Sequence, residues 1–86
     1  MKEFQYTITD SLGIHARPAG LLAKTAKGYG DTTITVTKDG TTVKASQLMK
    51  LMSLGVKQGM TVTVAAEGPA EDEAITAMEK FFKENL

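Results

Sequence analysis

His15 is the only histidine in an 86-residue chain that contains no cysteine. A neutral imidazole is a good nucleophile, and it departs readily from a phosphoryl group it has captured. Histidine also serves simply to cap or pack, and residue type alone does not separate these roles. Three neighbours point toward chemistry. The apolar positions Ala16, Ala19, Leu22, Ala23 and Ala26 follow helical spacing and place His15 at a helix N-cap. There the first backbone N–H groups lack intrahelical acceptors, and the positive end of the helix favours an anion. Arg17 brings a guanidinium fork that matches phosphate oxygens. Gly13 lets the backbone bend just before the site. Together these residues describe a nucleophilic ring beside an anion cradle, in which the amides of Ala16 and Arg17 meet oxygens as negative charge develops.

The composition excludes several other functions. Ten basic and ten acidic residues leave no net charge, hence no broad field for nucleic acid or an anionic membrane. With no cysteine and one histidine, disulfide frameworks, thiolate metal sites and multi-imidazole zinc sites are ruled out, and neither a metal nor an organic cofactor is expected. Paired catalytic acids and a nucleophile triad are also missing, so an independent enzyme with its own small-molecule pocket is not expected. No apolar run approaches the roughly 20 residues that cross a bilayer. The segment Met1-Lys2-Glu3-Phe4-Gln5 lacks a signal core, so the expected location is the cytoplasm. Residues 1–86, 42% hydrophobic, suit one domain, without repeats or linkers.

The elements that must position His15 follow from periodicity. Phe4, Tyr6 and Ile8 alternate with polar residues, as in a half-buried strand. The helix after His15 tolerates Pro18 in its first turn, carries Lys24 and Lys27 near its end, and has Gly28 as its expected C′ residue. Thr33-Ile34-Thr35-Val36-Thr37, the turn Lys38-Asp39-Gly40 and the run through Val43 make a hairpin. A two-turn helix spans Gln47 to Ser53 and ends near Gly55. Val62, Val64 and Ala66 mark a fourth strand, and Ala74, Ile75, Met78, Phe81 and Phe82 a last amphipathic helix with an acidic first turn. The order β-α-β-β-α-β-α predicts an α+β open-faced sandwich. Its four-stranded antiparallel sheet is covered on one face by helices, with the fourth strand between the first two.

The motif Gly13-Ile14-His15-Ala16-Arg17-Pro18-Ala19 resembles the active-site motif of the HPr phosphocarrier family. Met52-Ser53-Leu54-Gly55-Val56 with Gly59 resembles the segment after that family's second helix. The likeness covers essentially the whole chain. It implies that enzyme I passes a phosphoryl group from phosphoenolpyruvate to Nδ1 of His15, and that His15 donates it to IIA components of sugar transporters. It makes Arg17 the phosphate-contacting side chain, and Ala16 and Arg17 the source of main-chain amides. A regulatory binding module of the same fold and a carrier in a nitrogen-related relay are the alternatives.

Many members carry a regulatory serine at the start of the second helix. Alignment from either side places Gln47 there and Ser46 one position earlier, an offset produced by one extra residue around positions 30–33. Ser46 is therefore expected to be the second helix's N-cap rather than a kinase target. Gly20, inside the first helix, costs about 0.5–1 kcal/mol relative to alanine without affecting chemistry. Leu51 is expected in the core. Leu48, Met49 and Met52 are too many large apolar residues for one buried side of a short helix, and flexible methionines suit a surface that meets several partners. The resemblance places partner docking on Ala16, Gly20, Lys24, Lys27, Gln47, Leu48, Met49, Lys50 and Met52, the lysines forming a basic rim that speeds encounter. Contacts of this kind are transient, and the carrier is expected to be a monomer.

Overall fold

The computed structural model describes residues 1–86. In chain order the elements are β1 (Lys2–Thr7), α1 (Ala16–Lys27), β2 (Thr33–Lys38), β3 (Thr41–Lys44), α2 (Leu48–Ser53), β4 (Thr61–Glu67) and α3 (Glu71–Asn85). The strands form one sheet in the order β1-β4-β2-β3, and every pairing is antiparallel. This is the expected α+β open-faced sandwich, with β4 between β1 and β2.

Register follows from which residues must leave water. Tyr6 pairs with Val62, and Val36 with Val64, so the apolar sets of all three long strands face the same side. The opposite face carries Thr33, Thr35, Thr37, Thr61 and Thr63, β-branched residues that suit a strand and remain wet. Between β2 and β3 the chain reverses in two residues, Asp39 (φ 49°) and Gly40 (φ 81°). Positive φ at both positions is what a tight hairpin of this hand requires.

Helix α3 closes the apolar face. Phe82 is fully buried, and its ring meets Phe4, Tyr6 and Phe81 edge-on at 5.9, 5.6 and 6.2 Å. Leu22, Leu51 and Met78 join the same core from the three helices, each with no exposed surface. Removing the Phe82 ring would cost about 3–5 kcal/mol, a large fraction of what a domain of this size possesses.

Two helix ends differ from the sequence expectation. Gly28 is not a left-handed C′ residue: its φ is −67°, and the chain tightens through bonds from Gly28, Tyr29 and Gly30 to Thr25, Ala26 and Lys27. Gly30, at φ +55°, makes the left-handed exit. Ser46 is not the N-cap of α2. That position is Gln47, whose carbonyl accepts the Leu51 N–H at 3.0 Å without a side-chain cap. The Ala45 N–H is bonded to Ile34 at 2.8 Å and the Gln47 N–H to Lys44 at 3.1 Å, so the turn leaving β3 holds the chain through Gln47 and the helix starts after it.

Candidate functional site

His15 stands where extended chain becomes helix. Its backbone is extended (φ −102°, ψ −177°), and α1 begins at Ala16. The first intrahelical bond runs from the Ala19 N–H to the His15 carbonyl, 3.0 Å. Pro18 has no N–H to offer. The amides of Ala16 and Arg17 donate to no protein acceptor, the His15 side chain makes no capping bond, and the first turn holds no acid. Ala16 and Arg17 are both exposed. Two amides and the positive helix end therefore face solvent beside a guanidinium.

The loop before the helix is fixed by distant parts of the chain. Leu86, at the end of α3, accepts the amides of Thr9 (2.6 Å) and Asp10 (2.9 Å). The Val56 carbonyl, beyond α2, accepts the Ile14 N–H at 3.0 Å. Gly13 sits against that carbonyl with φ +66°, and a Cβ there would lie 2.2 Å from the Val56 oxygen. Only glycine fits this close approach. Within the loop, Asp10 Oδ1 accepts the Leu12 N–H at 2.8 Å, and the Asp10 carbonyl accepts the Gly13 N–H at 3.0 Å.

The imidazole is about 35% exposed, and its Nε2 lies 3.9 Å from Asp10 Oδ1. A shallow cleft of about 310 Å³ is lined by Asp10, His15, Arg17, Pro18, Leu21 and Asn85. The fold thus brings together His15, Arg17 and the Ala16 and Arg17 amides. Gly20 lies half-buried one turn further along α1, and a Cβ at that position would meet nothing within 4 Å. Alanine would be tolerated there, as expected.

Helix α2 packs against α1. Leu51 is fully buried, while Met49 is 75% exposed, Met52 41% and Leu48 38%. Gln47, Lys50, Lys24 and Lys27 are also exposed. Not all of these gather around the histidine. At 1.5 Å per residue, Lys27 lies about 18 Å along α1 from His15. There Lys27 lines a separate groove with Lys44 and the half-buried Ser46.

Sequence reasoning passed over three residues of the cleft. Asp10 follows the first strand's alternating run and carries no pattern of its own, and Asn85 is brought in only by tertiary folding. Leu21 carried a readable signal: adjacent leucines at 21 and 22 cannot both lie on one helical stripe, and Leu21 is left 47% exposed.

Comparison with known proteins agrees with this geometry. The family model described as the PTS HPr component phosphorylation site matches residues 2–84. The chain is 45% identical over 75 residues to the phosphocarrier protein HPr of Vibrio cholerae, covering 87% of each chain. It is 43% identical to HPr-C-His from Thermoanaerobacter tengcongensis, whose crystal structure superposes with a TM-score of 0.91 over 98% of this chain and 93% of that one. An HPr dimer from the same organism matches at the same identity with a TM-score of 0.76, covering 98% and 95%. By fold, motif and near-complete coverage, the chain belongs to the HPr family, the phosphocarrier proteins of the phosphotransferase system.

Proposed function

We propose that His15 accepts a phosphoryl group on Nδ1 from phosphorylated enzyme I and donates it to IIA components of sugar transporters. The observation that carries this reading is a solvent-reachable imidazole at an N-cap, beside two unengaged amides and an exposed arginine. The Nδ1 lone pair attacks phosphorus as the bond to the donor breaks, and the donor leaves with its electron pair. The Ala16 and Arg17 amides and the Arg17 guanidinium meet the equatorial oxygens, where charge is greatest in transfer. The return step reverses this, with a partner's nucleophile taking the group.

Docking falls to the exposed apolar residues of α2, namely Leu48, Met49 and Met52, together with Ala16 and Gly20 on α1. Gln47, Lys24 and Lys50 supply the polar rim, with Lys27 at its outer limit, at the far end of α1 from His15. One shared surface suits a monomer that exchanges partners in turn. Helix α2 opens on Gln47, and Ser46 precedes it in a turn, half-buried, which argues against regulation by a serine kinase.

Enzyme I and phosphoenolpyruvate should produce an acid-labile, alkali-stable adduct on the wild-type chain and none on His15→Ala. A wild-type chain that stays unmodified while a known carrier is labelled in parallel overturns the proposal. Phosphorylated protein should then lose its label to a IIA domain.

A further inference from the structure

We propose that Asp10 is a positioning residue for the phosphoryl transfer: its carboxylate holds the proton of His15 on Nε2 and leaves Nδ1 as the reacting nitrogen. The inference rests on His15 being the acceptor. Its basis is the juxtaposition of Asp10 Oδ1 and His15 Nε2 at 3.9 Å, in a loop fixed at several points. The Asp10 amide is tied to Leu86, its carbonyl to Gly13 and its Oδ1 to the Leu12 N–H at 2.8 Å. The carboxylate is therefore held in place before any ligand arrives. Arg17 is the other charged side chain of the cleft, so the ring lies in a site with an anion facing Nε2 and a cation available to the phosphoryl oxygens.

At 3.9 Å the pair is longer than a hydrogen bond. Its influence is electrostatic, and it grows when the ring gains charge. As Nδ1 bonds to phosphorus, the neutral ring with its Nε2–H becomes a cationic phosphoimidazolium. The positive charge is shared with the nitrogen that faces Asp10. When the group departs, the electron pair of the N–P bond returns to Nδ1, and neutral imidazole remains with its Nε2 proton. No proton need enter or leave in either direction. A carboxylate beside Nε2 favours this tautomer over the one with the proton on Nδ1, which has no lone pair there.

Asp10→Asn and Asp10→Ala separate this role from a merely structural one. The asparagine keeps an oxygen for the Leu12 N–H but loses the charge, whereas alanine loses both. If Asp10 only shaped the loop, Asn would behave as wild type and Ala would be impaired. A positioning role makes both variants slow, by about tenfold in transfer from enzyme I, the order expected from one half-exposed charge at this distance. Nitrogen-15 chemical shifts of His15 should show Nε2–H dominating in the neutral wild type, with the proton redistributed toward Nδ1 in Asp10→Asn. Wild-type shifts together with wild-type rates in Asp10→Asn overturn the proposal. A failure of His15 as acceptor would be recognised separately, as a wild-type chain that takes up no label.

Discussion

Gly13 tests how far the cradle depends on backbone packing rather than on His15 itself. A Cβ at this position would sit 2.2 Å from the Val56 oxygen and 2.7 Å from Lys57 Cα, both main-chain atoms that no side-chain rotation can move aside. The φ of +66° adds its own penalty, about 1–2 kcal/mol for a residue with a Cβ. Separating the two strands of backbone costs about 1–3 kcal/mol in displaced packing. It also weakens the 3.0 Å bond from the Ile14 N–H to Val56, worth about 0.5–1.5 kcal/mol. Gly13→Ala should therefore lose about 3–6 kcal/mol. A domain of this size holds about 9 kcal/mol, so the variant remains mostly folded in buffer while its urea midpoint falls by about 2 M or more. Because the 13–14 backbone leads directly into His15, transfer from enzyme I should fall more than the folded fraction does. A midpoint within error of wild type would refute the steric argument. A lowered midpoint with unchanged transfer would refute the link between this packing and the site.

Arg17→Ala should slow transfer about a hundredfold, and Arg17→Lys should recover only part of that, because an ammonium cannot span two phosphate oxygens; equal rates for Ala and wild type would remove Arg17 from the cradle. Met49→Glu, on a side chain 75% exposed, should leave the unfolding free energy from urea titration within about 0.5 kcal/mol of wild type while weakening transfer to and from partners, and unchanged transfer kinetics would count against docking on α2. An HPr kinase with ATP should leave Ser46 unmodified, and stoichiometric phosphoserine there would reverse the reading of the Ser46–Gln47 offset. The carboxyl of Glu71 is held below the usual carboxylate range, chiefly by the Met1 amino group at 3.0 Å and then by the Gly68 N–H at 3.4 Å. A depressed folded-state value contributes stability above the unfolded value and loses it as the pH falls through the folded one. Glu71→Gln should therefore be less stable than wild type at neutral pH, with the gap in urea midpoint closing in acid; a gap independent of pH would remove the charge from the explanation.

What could be read in the sequence was whatever depends on near neighbours. Alternation in Thr33–Lys38 and Thr61–Glu67, and Asp39-Gly40 between two β-branched runs, are local signals that the fold obeys. The N-cap place of His15 is also local, since it depends only on the apolar stripe that follows. The misplaced features are those decided elsewhere. Serine is the better cap, yet α2 starts one residue later because the turn leaving β3 ties Ala45 to Ile34 and Gln47 to Lys44. Gly28 is the exit from α1 that local spacing suggests, yet the left-handed turn falls at Gly30, because the turns joining the helix to β2 carry the chain two residues further. Asp10 was invisible for the same reason. Its place beside His15 depends on the loop being tied to Leu86 and Val56, contacts that no pattern within a short window reports.

An imidazole that must surrender its phosphoryl group to other proteins has to remain reachable, and that limits how the group can be held. Enclosing it in a deep pocket would strengthen each electrostatic contact through low dielectric, but it would also bar a second nucleophile from an in-line approach. The arrangement here keeps the holding groups on one side. The amides of Ala16 and Arg17 belong to a helix whose core face is fixed by Ala19, Leu22 and Ala23, so they are aligned without needing to close around the ligand. Leu21, left exposed, lines the same cleft, and α2 packs against the helix that carries it. Under the proposed function, a docked partner would cover the cleft and exclude water only for the duration of the encounter. On that reading the dielectric would drop as transfer takes place and rise again on release, which would make a phosphorylated chain safest when alone and most reactive when docked.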